Sequence, residues 1–113
     1  MWYNAVMRIR KESDIYNEEE ILLISAASDA LAHPLRVELF RYIYVENRQL
    51  RKVCNKDLVR EFGYSQSTIS QHMKKLVQAG LVETRRQDKR TCYFANFGVL
   101  MRYVDLTKRY SVV

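Results

Sequence analysis

The residues best suited to chemistry lie between Ser65 and Arg90. Gln66, Ser67, Thr68, Ser70 and Gln71 gather short hydroxyls and amides at the start of a segment whose other side carries Ile69, Met73, Leu76 and Val77. Such side chains both donate and accept hydrogen bonds, which suits the base edges displayed in a DNA major groove. These five are therefore the expected base-reading residues. Ser65 and Lys74, with the following Arg85, Arg86, Lys89 and Arg90, are the expected phosphate contacts. Residues 65–94 hold six basic side chains against two acidic ones, Glu83 and Asp88. A solvated helix face with a serine cap accounts for the first segment alone. It does not account for a cationic stretch following directly behind it.

Other reactive side chains are few. Cys54 is flanked by Lys52 and Lys56, neighbours that favour a thiolate, and is the candidate redox residue. A disulfide between Cys54 and Cys92 requires Cα atoms within about 7 Å. With Cys54 ahead of a helix and Cys92 on a hairpin strand, that proximity is not expected. There is no Gly-rich phosphate loop, nucleophile elbow or His-Glu-x-x-His motif. Two histidines leave little acid–base chemistry, so an enzyme is not expected, nor is a cofactor.

These residues need elements to position them. Asn17 and the acids after it read as a helix start, and the helix runs through Ile21, Leu22, Ile24, Ala27, Ala30 and Leu31. Its apolar surface exceeds one face, so it packs on two sides. His33-Pro34 breaks it and opens a second helix to about Glu46. Asn55 is the expected cap of a third, Lys56 to Phe62, ended by Gly63. Ser65 caps the fourth, Gln66 to Ala79, whose apolar residues recur at three and four positions. Gly63-Tyr64-Ser65 is the short turn of a helix-turn-helix. Leu81–Arg86 and Arg90–Asn96 then form a β-hairpin around Gln87-Asp88-Lys89, a basic wing. A last helix from Phe97 carries Leu100, Met101 and Val104 on one face. The expected fold is mainly α with a small β-hairpin, a winged helix-turn-helix of order α-α-α-α-β-β-α. Residues 1–17 form an arm and 18–113 one domain.

Composition agrees. The chain of 113 residues is 48% hydrophobic, enough for one modest core. Its net charge of +6 is unevenly spread: residues 1–11 carry +3, residues 12–46 carry −6, and residues 47–113 carry +9. A basic field confined to one part of a fold suits a polyanionic partner. No apolar run reaches the roughly 18 residues of a membrane span, and the N-terminus lacks a signal-peptide core. A cytoplasmic location without membrane association is expected. The principal rival is a winged-helix module for protein–protein contact without specific DNA binding.

Two stretches, DALAHPLRVELF over 29–40 and SQSTISQHMKKLVQAGLV over 65–82, together with the hairpin at 85–94 and its Tyr93-Phe94 pair, resemble the arsenic-repressor (ArsR/SmtB-like) family of bacterial transcription regulators. The resemblance spans residues from about 18 to 108. It implies a homodimeric repressor on a partly palindromic double-stranded operator, released by an effector that the sequence does not identify. It also implies a dimer interface from the first and last helices, with Ile21, Leu22, Ile24, Phe97, Leu100, Met101 and Val104 as its residues. His33 and Arg36 fall in the family's H-P-x-R turn. His33 is expected to cap, while Arg36 either braces that turn or reaches a phosphate. His72 is expected to pack beside Met73, with phosphate contact as its second reading. The family's thiolate metal site uses a Cys-x-Cys pair, and here Lys56 replaces the second cysteine. The alternative site needs several His and acidic ligands on the last helix, which offers Asp105 alone, so no metal is expected. The arm, with Arg8, Arg10 and Lys11, either reaches DNA or extends the interface.

Overall fold

The computed structural model describes residues 16–111, so the arm's Arg8, Arg10 and Lys11 lie outside the described residues. Helix α1 spans Glu18–Ala30. The Asn17 side chain accepts the Glu20 N–H at 2.8 Å, and the Glu20 carboxylate accepts the Asn17 N–H at 3.0 Å, a reciprocal cap that satisfies two free donors. That bond from the Asn17 backbone, with Arg109 at 3.3 Å, holds the Glu20 carboxyl below its ordinary range. Helix α2 spans Pro34–Arg48, two residues beyond the expected end. His33 caps it as expected, its Nδ1 accepting the Leu35 N–H at 3.1 Å.

Strand β1, Val53–Cys54, precedes helix α3, Asn55–Phe62. Cys54, not Asn55, is the cap of α3, and the Asp57 carboxylate accepts its N–H at 2.8 Å. Asn55 instead lies in the first turn, buried, its amide oxygen accepting the Tyr93 hydroxyl at 3.0 Å. Helix α4 spans Gln66–Gln78 from a Ser65 cap, strands β2 and β3 span Val82–Gln87 and Arg90–Ala95, and α5 spans Phe97–Lys108 before a 3₁₀ turn, Arg109–Ser111.

Pairing runs from Val82↔Ala95 to Gln87↔Arg90, which leaves Asp88 and Lys89 as a two-residue loop. Both have positive φ, 50° and 63°, the geometry of the hairpin turn whose twist matches its strands. The sheet has three strands, not two, in the order β1-β3-β2, with Val53↔Tyr93 and Cys54↔Cys92 antiparallel. A two-residue strand has no period to read; it exists only because β3 offers it a partner.

The core joins α1 through Ala27, α2 through Leu39 and Ile43, α3 through Leu58, α4 through Ile69, Met73 and Leu76, and the sheet through Val53, Val82 and Tyr93. It lies directly beneath the helix-turn-helix and the wing, so both rest on one rigid base. At the far end α5 packs against α1, where Ser28 and Tyr103 share a hydrogen bond of 3.0 Å and the Tyr16 hydroxyl donates to the Leu106 carbonyl at 2.7 Å.

A candidate nucleic-acid interface

Helix α4 is held by its inner face and offers its outer one. Ile69, Met73 and Leu76 are fully buried, while Gln66, Ser67, Ser70, Gln71 and Lys74 are exposed. Thr68 is half-buried and committed to the helix start: its N–H donates to the Ser65 hydroxyl at 3.2 Å, and its own hydroxyl accepts from Ser65 at 3.0 Å. Ser65 and Thr68 therefore organise the first turn, and Gln66, Ser67, Ser70 and Gln71 form the exposed uncharged edge, Ser67 lying 3.3 Å from the Ser65 hydroxyl. Gly63 turns the chain from α3 into α4 with φ of 75°. A Cβ there would meet nothing within 4 Å, so the position demands a backbone conformation and not space.

Beside this edge lies an open cleft of about 560 Å³, its walls made by α3, α4 and the wing. Gln66 and Ser70 face it from α4, and Arg86, Lys89 and Arg90 from the wing. Lys56, on the first turn of α3, adds a fourth cation that sequence reasoning did not place here. Its only signal was its position in the first turn of the helix before α4. On the other side of Ser70, Lys74 and Thr84 border a second, shallower groove between α4 and β2.

The wing's cations do not all face the cleft. Successive strand residues point to opposite faces: Arg86 lines the cleft and donates to the Thr91 hydroxyl at 3.2 Å. Arg85 stands opposite Cys92 on the other face, its guanidinium 4.5 Å from the Phe94 ring centre. Sequence adjacency grouped Arg85 with Arg86; the pleat separates them.

Three links fix the wing to the stretch from Lys52 through β1 to the first turn of α3. The Tyr93–Asn55 hydrogen bond is buried, and that burial raises the Tyr93 hydroxyl pKa. Lys52 donates to Gln87 at 2.9 Å. Cys54 and Cys92, whose proximity was not expected, are disulfide-bonded with Cα atoms 3.7 Å apart. The expectation failed because it set Cys54 only ahead of a helix, whereas β1 pairs it opposite Cys92. Among the described residues, no three His, Cys, Asp or Glu side chains converge on a common point.

The other end of α4's neighbourhood is braced. Arg36 donates through Nε to the Ala30 carbonyl at 2.7 Å and through Nη2 to the Asp29 carbonyl at 3.3 Å. Its Nη1 lies 3.2 Å from His72 Nδ1. Of the two roles open to Arg36, the structure shows the brace. His72, on α4, packs against the His33 ring at 4.7 Å. Desolvation first, then the charges of His33 and Arg36, lower the His72 pKa. The turn between α1 and α2 is thus tied to the helix that carries the polar edge.

The apolar residues expected at a dimer interface divide. Leu22 and Met101 are 63% and 50% exposed. Ile21, Leu100 and Val104 are half-buried. Ile24 is buried within the protomer, and Phe97 stands edge-on to Tyr44 at 5.0 Å. Ile24 serves the protomer's own packing, while Phe97 remains 39% exposed. No helix among the described residues is long and apolar enough to cross a membrane.

Residues 46–84, from the end of α2 through β2's first residues, match the family model for "Bacterial regulatory protein, arsR family". An arsenical resistance operon repressor of Staphylococcus aureus is 41% identical over 49 residues, covering 43% of this chain and 47% of that protein. A repressor of the same description from Staphylococcus xylosus is 33% identical over 73 residues, covering 65% of each. The chain thus matches about half to just under two-thirds of these relatives' length. An ArsR-like transcriptional regulator from Rhodococcus sp. RHA1 superposes with a TM-score of 0.68 at 19% identity over 80% of both chains, which shows the fold.

Proposed function

We propose that this chain, which has the winged helix-turn-helix fold and is similar to ArsR-family regulators over residues 46–84, binds double-stranded operator DNA sequence-specifically, as a homodimeric transcriptional repressor. The observation that carries the reading is the placement of α4's exposed polar edge on the rim of a cleft lined by Lys56, Arg86, Lys89 and Arg90. A polar helix edge matches a major groove, and cations across the cleft from it match the flanking phosphates.

Gln66, Ser67, Ser70 and Gln71 read base edges in this mechanism. Ser65 and Thr68 hold the first turn that presents them. Lys56, Arg86, Lys89 and Arg90 neutralise one backbone strand, with Lys74 on the opposite rim and Arg85 at the wing's outer face. Leu22 and Met101, exposed on the paired helices α1 and α5, support self-association there. Two-fold symmetry would set the two α4 helices one DNA turn apart, about 34 Å, or a multiple of it. Repression is supported by the named arsenical resistance repressors, and a regulator of this kind works in the cytoplasm. The effector is not assigned.

Fluorescence anisotropy against DNA from upstream of the protein's own gene, with a scrambled duplex as control, tests the reading. Four cleft cations in each protomer, eight in the dimer, give an expected slope of log affinity on log salt of about −7, at about 0.9 per phosphate. Preferential binding with a steep slope is the expected result. Absence of binding at low salt overturns the reading in favour of a protein-interaction module.

A further inference from the structure

We propose that Cys54 and Cys92 form a reversible oxidation site whose closed state clamps the wing against the helix-turn-helix. The two residues are 38 positions apart in sequence, yet they face each other in the β1–β3 ladder and are joined by a disulfide. Both are buried, at 4% and 0% exposure. The bond joins the two elements that make opposite walls of the cationic cleft, although neither cysteine side chain lines it. Cys54 caps α3, and the next two residues, Asn55 and Lys56, line one wall. Cys92 lies between Thr91 and Tyr93 on the other. Strand β1 has two residues, so few ladder hydrogen bonds hold this edge of the sheet, and a covalent link there strongly constrains the separation of α3 from the wing.

The pair suits switching and not permanent bracing. The core beneath it is continuous through four helices and the sheet, so the fold does not depend on a staple. In a reducing compartment a disulfide is seldom permanent, and those that form are mostly transient or redox-sensing. The chemistry balances with a hydroperoxide as oxidant. The Cys54 thiolate, on the edge strand, attacks the O–O bond. It takes one oxygen as a sulfenic acid, and the leaving alkoxide, or hydroxide from hydrogen peroxide, gains a proton and departs as alcohol or water. The Cys92 sulfur then attacks the Cys54 sulfur, the S–S bond forms, and water leaves with the Cys92 proton. Two thiols are oxidised by two electrons and one peroxide bond is reduced. A dithiol reverses the step by exchange.

In the closed state Arg86, Lys89 and Arg90 are held at a fixed distance from Lys56, so the cleft is organised before DNA arrives. Opening the bond leaves the short β1–β3 ladder and the Tyr93–Asn55, Lys52–Gln87 and Ala95–Asn47 hydrogen bonds to hold the wing. The consequence for DNA rests on the function proposed above: the oxidised form binds more tightly, by about fivefold or more.

The test compares the full chain treated with hydrogen peroxide and with dithiothreitol, by intact mass, by hydrogen exchange of the β2–β3 amides, and by anisotropy on duplex DNA. The expected result is a reversible loss of two hydrogens, slower wing exchange in the oxidised form, and tighter binding. Cys54→Ala and Cys92→Ala, which keep the buried positions apolar, should behave as the reduced protein under both treatments. Failure of the bond to form in folded protein, or identical wing exchange in the two states, overturns the proposal. Slower exchange with unchanged affinity overturns its regulatory half. Bond formation and slower exchange without DNA binding in either state refute the DNA reading and leave the oxidation site standing.

Discussion

Replacing Lys56 with glutamine should weaken binding to every DNA sequence by a similar factor. Lys56 is exposed and lines the cleft opposite Arg86, Lys89 and Arg90. A single charge pair at 4 Å in a water-like medium is worth about 1 kcal/mol. With one copy of the change in each protomer, the dimer loses about 2 kcal/mol, roughly thirtyfold in affinity at low salt. Because two phosphate contacts vanish, the salt slope should also become shallower by about 2. The assay is anisotropy titration of operator and scrambled duplexes across a salt series. Lys75→Gln is the control for net charge, since Lys75 lies on α4 away from the cleft lining. Equal effects of Lys56→Gln and Lys75→Gln would mean that long-range field, not contact, governs the loss. A loss confined to the operator would mean that Lys56 reads bases. Either result refutes the assignment of the cleft to a DNA backbone.

Gln71→Ala should act in the opposite manner, reducing discrimination between operator and scrambled DNA by about 1–3 kcal/mol while leaving the salt slope unchanged; a uniform loss on both duplexes would count against base reading. Tyr93→Phe removes the hydroxyl that satisfies buried Asn55, so urea unfolding should show a loss of about 1–2 kcal/mol, and an unchanged midpoint would mean that water replaces the bond. The lowered His72 pKa makes neutral imidazole the form favoured by folding. Between the folded value and the ordinary value of 6.5, the unfolded chain binds the extra proton, so stability falls as pH drops through that window. Wild type should therefore exceed His72→Gln in stability by more at pH 7.5 than at pH 5.5, as read by urea midpoints; a constant gap would show that His72 does not titrate between these states.

The features legible in the sequence are those whose causes are local. The α3–α4 turn announces itself through Gly63, which alone accepts its φ without strain, and through Ser65, whose hydroxyl closes the first turn of α4. Three- and four-residue spacing at Ile69, Met73 and Leu76 decides which side of α4 is buried, and therefore which polar residues are free. His33-Pro34 likewise carries its own cap and break. The separation of Arg85 from Arg86 was also within reach, since neighbours on a strand necessarily point apart.

What only the tertiary structure decided depends on residues far apart in the chain. Strand β1 leaves no pattern in two residues, and without it Cys54 has no reason to meet Cys92. Lys56 is an ordinary helix-start cation until the wing folds back and places Arg86, Lys89 and Arg90 across from it. Arg36 reads equally as a phosphate ligand or a brace until His72 arrives from α4. Local periodicity fixes which face of each element is apolar, because that depends on a few neighbouring residues. Which polar groups then meet depends on how those faces dock, a choice made by the whole core at once.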